Sequence, residues 1–315
     1  MTHDGPGDHP AASVVIPSFN RLTDLQRVLA ALRRQQTDVA GGVELVVVDD
    51  GSTDGTAKWL KSEQGHGDVI TISQRNSGPA AARNRGATAA RGEILLFLGD
   101  DTEPADGWLL SHLEEHRLFG VSSQPLAVVG YTGFPTDHDS PFCRFINEYG
   151  AQFGYALIKD PGEVPFNFFY TSNVSIPRRI FTDLGGFRED FAAAAWEDIE
   201  FAYRAAQEGL SLRYQPRART VHHHCIQPRT FCSRQRTSGR ACAVFADLHP
   251  ELEGFLGVDR ARAGSRFLAV RRALLHALVA FGERIPGVVP PGVYQMYLDL
   301  AYLEGLAEGL HASGA

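Results

Sequence analysis

Two pairs of adjacent aspartates, Asp49-Asp50 and Asp100-Asp101, each follow a short apolar run in this 315-residue chain. Neighbouring carboxylates repel one another unless a cation or a donor-rich ligand neutralises them. A hard divalent cation bridging diphosphate oxygens meets that need. Carboxylates after strands are often helix N-caps, a job that Ser52 or Thr53 can do in the first loop; two such pairs ending two strands call for more than capping. A third acidic pair, Glu197-Asp198, opens a helical pattern, where the helix dipole tolerates carboxylates. His222-His223-His224 lies 24 residues beyond Asp198. In an extended segment His222 and His224 share one face and His223 takes the other. A structural zinc site drawing in Cys225 and Cys232 is the weaker alternative, because its spacing is irregular.

These residues need a scaffold, and the first hundred positions supply one. Strands are predicted at 14–16, 44–48, 69–72 and 94–98, separated by helical patterns at 22–32, 57–61 and 79–90. Strand–helix alternation with continuously apolar strands argues for a parallel sheet covered on both faces. Ligands bind such sheets beyond the carboxyl ends of the strands. The polar clusters Pro17-Ser18-Phe19-Asn20, 49–53, 74–78 and 99–102 all fall at those ends, which describes a nucleotide-sized crevice. A further strand pattern at 211–214 leads toward the histidines.

Composition limits the alternatives. Hydrophobic residues make up 43% and charged residues 21%, the balance of a globular protein. A net charge of -7 speaks against a general nucleic-acid partner. Cys143, Cys225, Cys232 and Cys242 form no CxxC pair, so reduced thiols and a cytoplasmic location are expected. Residues 1–12 read as a loose polar tail, not a signal peptide. No apolar stretch approaches the roughly 18 residues of a membrane span. Residues 130–225 are rich in aromatics, for which core is the preferred reading, although ring faces also suit sugars. Beyond about residue 230 the pattern is helical, broken at His249-Pro250 and at 284–292 before a last helix at 293–311. Residues 201–285 hold fourteen arginines against six acidic residues. A solvated helix or homodimer face is preferred there over peripheral contact with anionic lipid.

SVVIPSFNR, VVVDDGSTDGT, NSGPAAARNRG, ILLFLGDDT, FYTSNVSIPRR, LGGFREDF, WEDIEFAYR and VHHH occur in this order over residues 12–240. The series resembles the family 2 glycosyltransferases of the GT-A fold. The resemblance implies an α/β nucleotide-binding fold with a mostly parallel central sheet flanked by helices, plus C-terminal helices. Residues 13–240 would form the GT-A domain, with a nucleotide-binding half (13–105) and an acceptor half (106–240), and 241–315 a helical region.

It also implies roles. Pro17, Ser18, Asn20 and one of Asp49 or Asp50 would shape the nucleobase and ribose pocket; Asn76, Gly78 and Arg83 would lie beside the nucleotide diphosphate. For Asn84 and Gly86, helix–sheet packing is an equal reading. Gly99-Asp100-Asp101 takes the place of the family's DxD-type motif, with Gly99 replacing its first carboxylate. Asp101 would hold Mn²⁺ or Mg²⁺ with His222 and His224, and Asp100 would face the ribose or a metal-bound water. Trp196 and Asn173 would border the acceptor. Asp198 would be the catalytic base and Glu197 a positioning carboxylate. The implied reaction is inverting, metal-assisted transfer of a sugar, with UDP the first expectation for the donor, to a carbohydrate, lipid-linked or small-molecule hydroxyl. A non-catalytic sugar-nucleotide binder is an alternative, as is a nucleotidyltransferase, disfavoured for want of a glycine-rich, lysine-bearing loop.

Overall fold

The computed structural model describes residues 10–63, 69–120, 124–135, 140–150, 152–191, 195–224, 226–263, 268–282, 285 and 288–313. The chain forms two compact units. The first comprises Met1–Pro135, Ile158–Glu189 and Asp198–His224, and the second Thr136–Leu157, Asp190–Glu197 and Cys225–Ala315. Residue 240, the expected limit of the GT-A domain, lies within the helix Pro228–Leu248, and the last segment of the first unit ends at His224.

The first unit opens with β1 (Ala12–Ser18), α1 (Leu22–Gln36), β2 (Val43–Asp49), α2 (Thr56–Glu63), β3 (Val69–Ser73), α3 (Pro79–Ala89) and β4 (Ile94–Leu98). It continues with β5 (Thr102–Pro104), α4 (Trp108–Phe119) and β6 (Leu126–Gly133). After α5 (Pro141–Glu148), which belongs to the second unit, come β7 (Asn173–Pro177), α6 (Arg178–Asp183), α7 (Glu197–Gln207) and β8 (Ser211–His222). The eight strands form one sheet in the order β3-β2-β1-β4-β7-β6-β8-β5. The strands of the first hundred residues run parallel, as expected, whereas β7 and β5 join antiparallel to their neighbours. The result is a mixed sheet with a parallel half.

Register aligns the carboxyl ends. Ser18 pairs with Asp49 and Asp49 with Ser73, so three loops leave the sheet at one level. Alternate strand residues are buried on opposite faces. Val14, Ile16, Leu45, Val47, Leu96 and Leu98 pack with Leu25, Val28, Leu29 and Leu32 of α1. Val15, Val46, Leu95 and Phe97 face the other layer, where Phe97, Phe181, Phe187 and Phe201 meet edge to face or tilted at 4.9–5.2 Å. Helix α3 is alanine-rich because it lies close to the sheet: a Cβ on Gly86 would come within 2.5 Å of Val15 Cγ1. Packing is therefore the role of Gly86. Asn84 accepts the Phe187 N–H and donates to the Phe187 carbonyl, clamping the following loop to α3.

The second unit is helical: α5, α8 (Pro228–Leu248), α9 (Glu253–Leu256), α10 (Val258–Arg262), α11 (Leu268–Gly282) and α12 (Pro291–Ser313). Helices α8 and α12 approach along a glycine seam. A Cβ on Gly239 would strike the Tyr302 carbonyl, one on Gly305 the Arg236 carbonyl, and one on Gly309 would stand 2.7 Å from the Arg240 carbonyl. Glu308 bridges the seam to Arg236 and, at 2.7 Å, to Arg240. On α11, Leu274 (68% exposed), Leu278 (48%) and Phe281 (58%) share an open face at helical spacing. Among the described residues no helix is long and apolar enough to cross a membrane. Cys143, Cys232 and Cys242 are buried and in no disulfide, and Cys225 lies outside the described residues.

Candidate active site

The loop between β4 and β5 carries Asp100 and Asp101, both largely buried. Pairing of β5 with β8 sets Thr102 opposite His222 and so brings the histidine to the acidic loop. His222 Nε2 lies 3.5 Å from Asp101 Oδ2, and the His222 and His224 rings meet at 6.0 Å. His223 turns the other way, its Nε2 2.8 Å from Glu103 Oε2. The sequence did not single out Arg21, yet its Nη1 donates to Asp101 Oδ2 at 2.5 Å and its Nε lies 3.8 Å from Asp100 Oδ1. Burial alone would raise the Asp101 pKa; the opposing charges of His222 and Arg21 outweigh it and hold the carboxyl below its ordinary value. Asp100 is pushed up to about 7 by burial and by the Asp101 charge, against the pull of Arg21. Gly99 is explained by space: a Cβ there would stand 2.7 Å from Thr102 Oγ1 and 3.2 Å from Asp101 Oδ1. A side chain there would have to move the Thr102 hydroxyl and crowd the Asp101 carboxylate.

The first acidic pair divides its labour. Asp50 accepts the Ser77 N–H (2.9 Å), the Gly78 N–H (2.9 Å) and the Gln74 amide (2.8 Å), which binds the loop after β3 to the loop after β2. Gly51 and Gly78 both hold positive φ, and a Cβ on Gly51 would stand 2.9 Å from the Asn76 nitrogen. Glycine permits that approach. Asp49 accepts the Ser52 N–H through Oδ1. Asn20 accepts the Thr53 N–H at 2.7 Å, while its own N–H goes to Ser52 Oγ, so Asn20 ties the β1 and β2 loops together. Pro17 and Ser18 end β1 at this edge, and Asn76 is exposed on the loop after β3. Phe19, 46% exposed, offers a bare ring face among these polar loops.

Asp198, in the first turn of α7, accepts the Thr171 N–H (3.2 Å) and hydroxyl (3.3 Å) on Oδ2 and the Ile199 N–H (2.9 Å) on Oδ1. Burial pushes its pKa up, opposed first by the charge of Arg83 and then by these hydrogen bonds. Arg83 thus serves Asp198 electrostatically in the structure. Glu197 is buried and belongs to the second unit, as does the half-buried residue before it. Trp196 has φ +77, donates its indole N–H to the Ser238 carbonyl at 2.9 Å and packs on Phe245 and Tyr302.

Asn173 departs from the expected acceptor role. Its side chain is wholly buried beneath the sheet edge; it accepts from Trp108 Nε1 (2.8 Å), shares Oδ1 with His112 Nε2 (2.9 Å), and donates to the Tyr131 and Ala218 carbonyls. Those groups consume its donors and acceptor lone pairs. It ties the antiparallel half of the sheet together and is not presented to an acceptor. Ser175, two residues on, bridges His112 (2.9 Å) and His116 (2.8 Å), whose pKa values burial lowers to about 4 and about 3.

Among the described residues no group of three His, Cys, Asp or Glu side chains is arranged to hold a metal by itself. The residues at Asp101 nevertheless suit a divalent cation. Asp101 offers a carboxylate and His222 an imidazole nitrogen 3.5 Å from it, two donors of the kind such ions take, although the Arg21 guanidinium holds the same oxygen at 2.5 Å. Mg²⁺ and Mn²⁺ complete such partial sets with waters and phosphate oxygens.

A sheet with a parallel half, acidic loops at its carboxyl ends and a carboxylate-opened helix beside them defines a GT-A-type nucleotide-binding fold. Residues 13–175 match glycosyl transferase family 2, and the chain belongs to that family. It is 29% identical over 252 residues to the pre-mycofactocin glycosyltransferase of Mycobacterium tuberculosis, covering 77% of this chain and 49% of that protein. The validoxylamine A glucosyltransferase of Streptomyces hygroscopicus is 30% identical over 230 residues, covering 64% of this chain and 53% of the relative. The chain thus spans about half the length of these relatives. The mannosyltransferase PcManGT of Pyrobaculum calidifontis, solved with GDP-Man and Mn²⁺, has the same fold at a TM-score of 0.59 and 20% identity, over 99% of this chain and 92% of that one.

Two residues of the site carried no role in the sequence: an arginine in a turn and a threonine in YTSN were the signals for Arg21 and Thr171, whereas Phe19 lay in the loop already placed at the crevice.

Proposed function

We propose that the chain transfers a sugar from a nucleotide-diphosphate sugar to an acceptor hydroxyl in one inverting displacement. The observation that carries this reading is Asp198, a half-buried carboxyl held by Thr171 and countered by Arg83, in the unit that carries the acidic loop ends. Its three donors leave a lone pair for one more proton. The acceptor O–H gives its proton to Asp198 while the oxygen bonds to the anomeric carbon. The bond from that carbon to the diphosphate breaks, and its electron pair stays on the phosphate oxygen. A raised pKa strengthens a general base that is still ionised at working pH, and such bases contribute about 10²–10⁴-fold.

Asp49 and the ring of Phe19 are the groups we assign to the nucleobase, since Asp50 is engaged by the loop after β3. Asp100 is assigned to the ribose side, and Arg83 to both the diphosphate and Asp198. A Mn²⁺ or Mg²⁺ ion held by Asp101 with His222 and His224 would supply positive charge to the departing diphosphate. Glu197 keeps the positioning role, and Trp196 the acceptor-side place, that the family pattern implies. UDP- and GDP-sugars are the first donors to test, and the names of the two relatives put small-molecule acceptors first. Residence in the cytoplasm is part of this proposal.

Metal-dependent donor hydrolysis, with water as acceptor, tests the reading. Asp198→Asn keeps size and polarity and removes basicity, so turnover should fall about 10²-fold or more while donor affinity stays near wild type. Glu197→Gln should cost less turnover. Full activity in both variants would reject the displacement.

A further inference from the structure

We propose that Arg21 is a resident counter-cation: its guanidinium neutralises Asp101 in the ligand-free protein, and a divalent cation must displace it to bind. The inference rests on the reading of Asp101 as the metal-side carboxylate. Arg21 Nη1 lies 2.5 Å from Asp101 Oδ2, the same oxygen that faces His222 Nε2 at 3.5 Å. Its Nε reaches toward Asp100 at 3.8 Å, so one guanidinium serves both carboxylates. The two side chains are 12% and 13% exposed, and two adjacent buried carboxylates are costly without a neutralising partner.

The arginine is built to leave. Its side chain is 34% exposed, and its backbone sits outside α1 at φ -139 and ψ 43. The neighbouring backbone is pinned independently, Asn20 N–H to Ser52 Oγ at 2.9 Å and Leu22 N–H to Asp54 Oδ2 at 3.0 Å. A rotamer change can therefore carry the guanidinium to solvent while the loop stays in place. A divalent ion at Oδ2 cannot share the 2.5 Å approach with a cationic nitrogen, so metal and Arg21 compete for one oxygen. Metal affinity at this site is then set by the carboxylates and discounted by the arginine.

Free Mn²⁺ measured by electron paramagnetic resonance tests the competition without nucleotide or turnover. Arg21→Gln should bind Mn²⁺ about tenfold or more tighter than wild type, the scale of one charge-assisted hydrogen bond. Its metal-free melting temperature should fall, with a larger recovery on adding Mn²⁺. Arg21→Lys, which keeps the charge, should bind Mn²⁺ about as weakly as wild type. Unchanged or weaker Mn²⁺ binding in Arg21→Gln, or Arg21→Lys binding as tightly as Arg21→Gln, would overturn the proposal. Asp101→Asn, alone and combined with Arg21→Gln, separates the two ideas. Tight binding that survives Asp101→Asn removes the metal-side reading, and no binding in wild type or Arg21→Gln removes both.

Discussion

The carboxyl edge of the sheet and the α8–α12 helix pair are both held at close range, by opposite means. At the sheet edge polar side chains do the holding: Asp50 grips one loop, Asn20 another, and Arg21 spans the acidic pair. In the helix pair the decisive feature is the lack of a side chain, at Gly239, Gly305 and Gly309. Charge held by donors can be altered with the backbone left in place, so substitutions at the edge should read out in ligand binding and rate. A seam of touching backbones has no such freedom, and substitutions there should read out in stability.

The largest effect in this comparison should come from Gly305→Val, whose side chain has to enter the Arg236 carbonyl. Overpacking of this kind costs about 3 kcal/mol or more when backbone blocks the way, and thermal unfolding would show a drop of several degrees. A wild-type melt would mean that the helices part easily and the contrast fails. Asn173→Leu comes next. It strands Trp108 Nε1 and the Ala218 carbonyl, while Thr220 Oγ1 still reaches the Tyr131 carbonyl, and with relief by water the total should be about 1–3 kcal/mol. A variant as stable as wild type would return Asn173 to the list of acceptor contacts.

Acid sharpens the contrast within the first unit. His112 and His116, with pKa values lowered to about 4 and about 3, are neutral in the folded protein at pH 6, whereas the unfolded chain takes up protons below its ordinary histidine value. The unfolded state then binds more protons, so stability falls as pH drops from about 6.5 toward 4, by about 1 kcal/mol per histidine at pH 5.5. His116→Gln should flatten that slope in melts taken across the range. The smallest effect belongs to α11: Leu278→Gln on its exposed face should move stability by no more than about 0.5 kcal/mol. A larger loss, or a change in oligomeric state, would show that a second copy covers that face.

What the sequence made legible was local. The four parallel strands and the polar loops at their ends follow from uninterrupted apolar runs such as 94–98, because burial on both faces leaves no alternation to obscure them. Roles for single residues came from the family resemblance, and the long-range contacts came from neither source. Arg21 and Asp101 are 80 residues apart, and nothing in SFNR signals that pairing. Asp101 meets His222 only because three-residue β5 pairs with the end of β8. Asn173 was misplaced for the same reason: β7 enters antiparallel between β4 and β6 and turns the asparagine into the interior.

The central claim, that Asp101 belongs to a cation-assisted nucleotide site at the sheet edge, is tested most directly by calorimetric titration of UDP and GDP into wild type and Asp101→Asn, each with Mn²⁺ and with EDTA. The account predicts that one of the nucleotides binds wild type clearly tighter with Mn²⁺ than with EDTA, and that Asp101→Asn loses this difference. Equal affinity for both nucleotides with and without the metal in wild type, or an undiminished Mn²⁺ effect in Asp101→Asn, would contradict it.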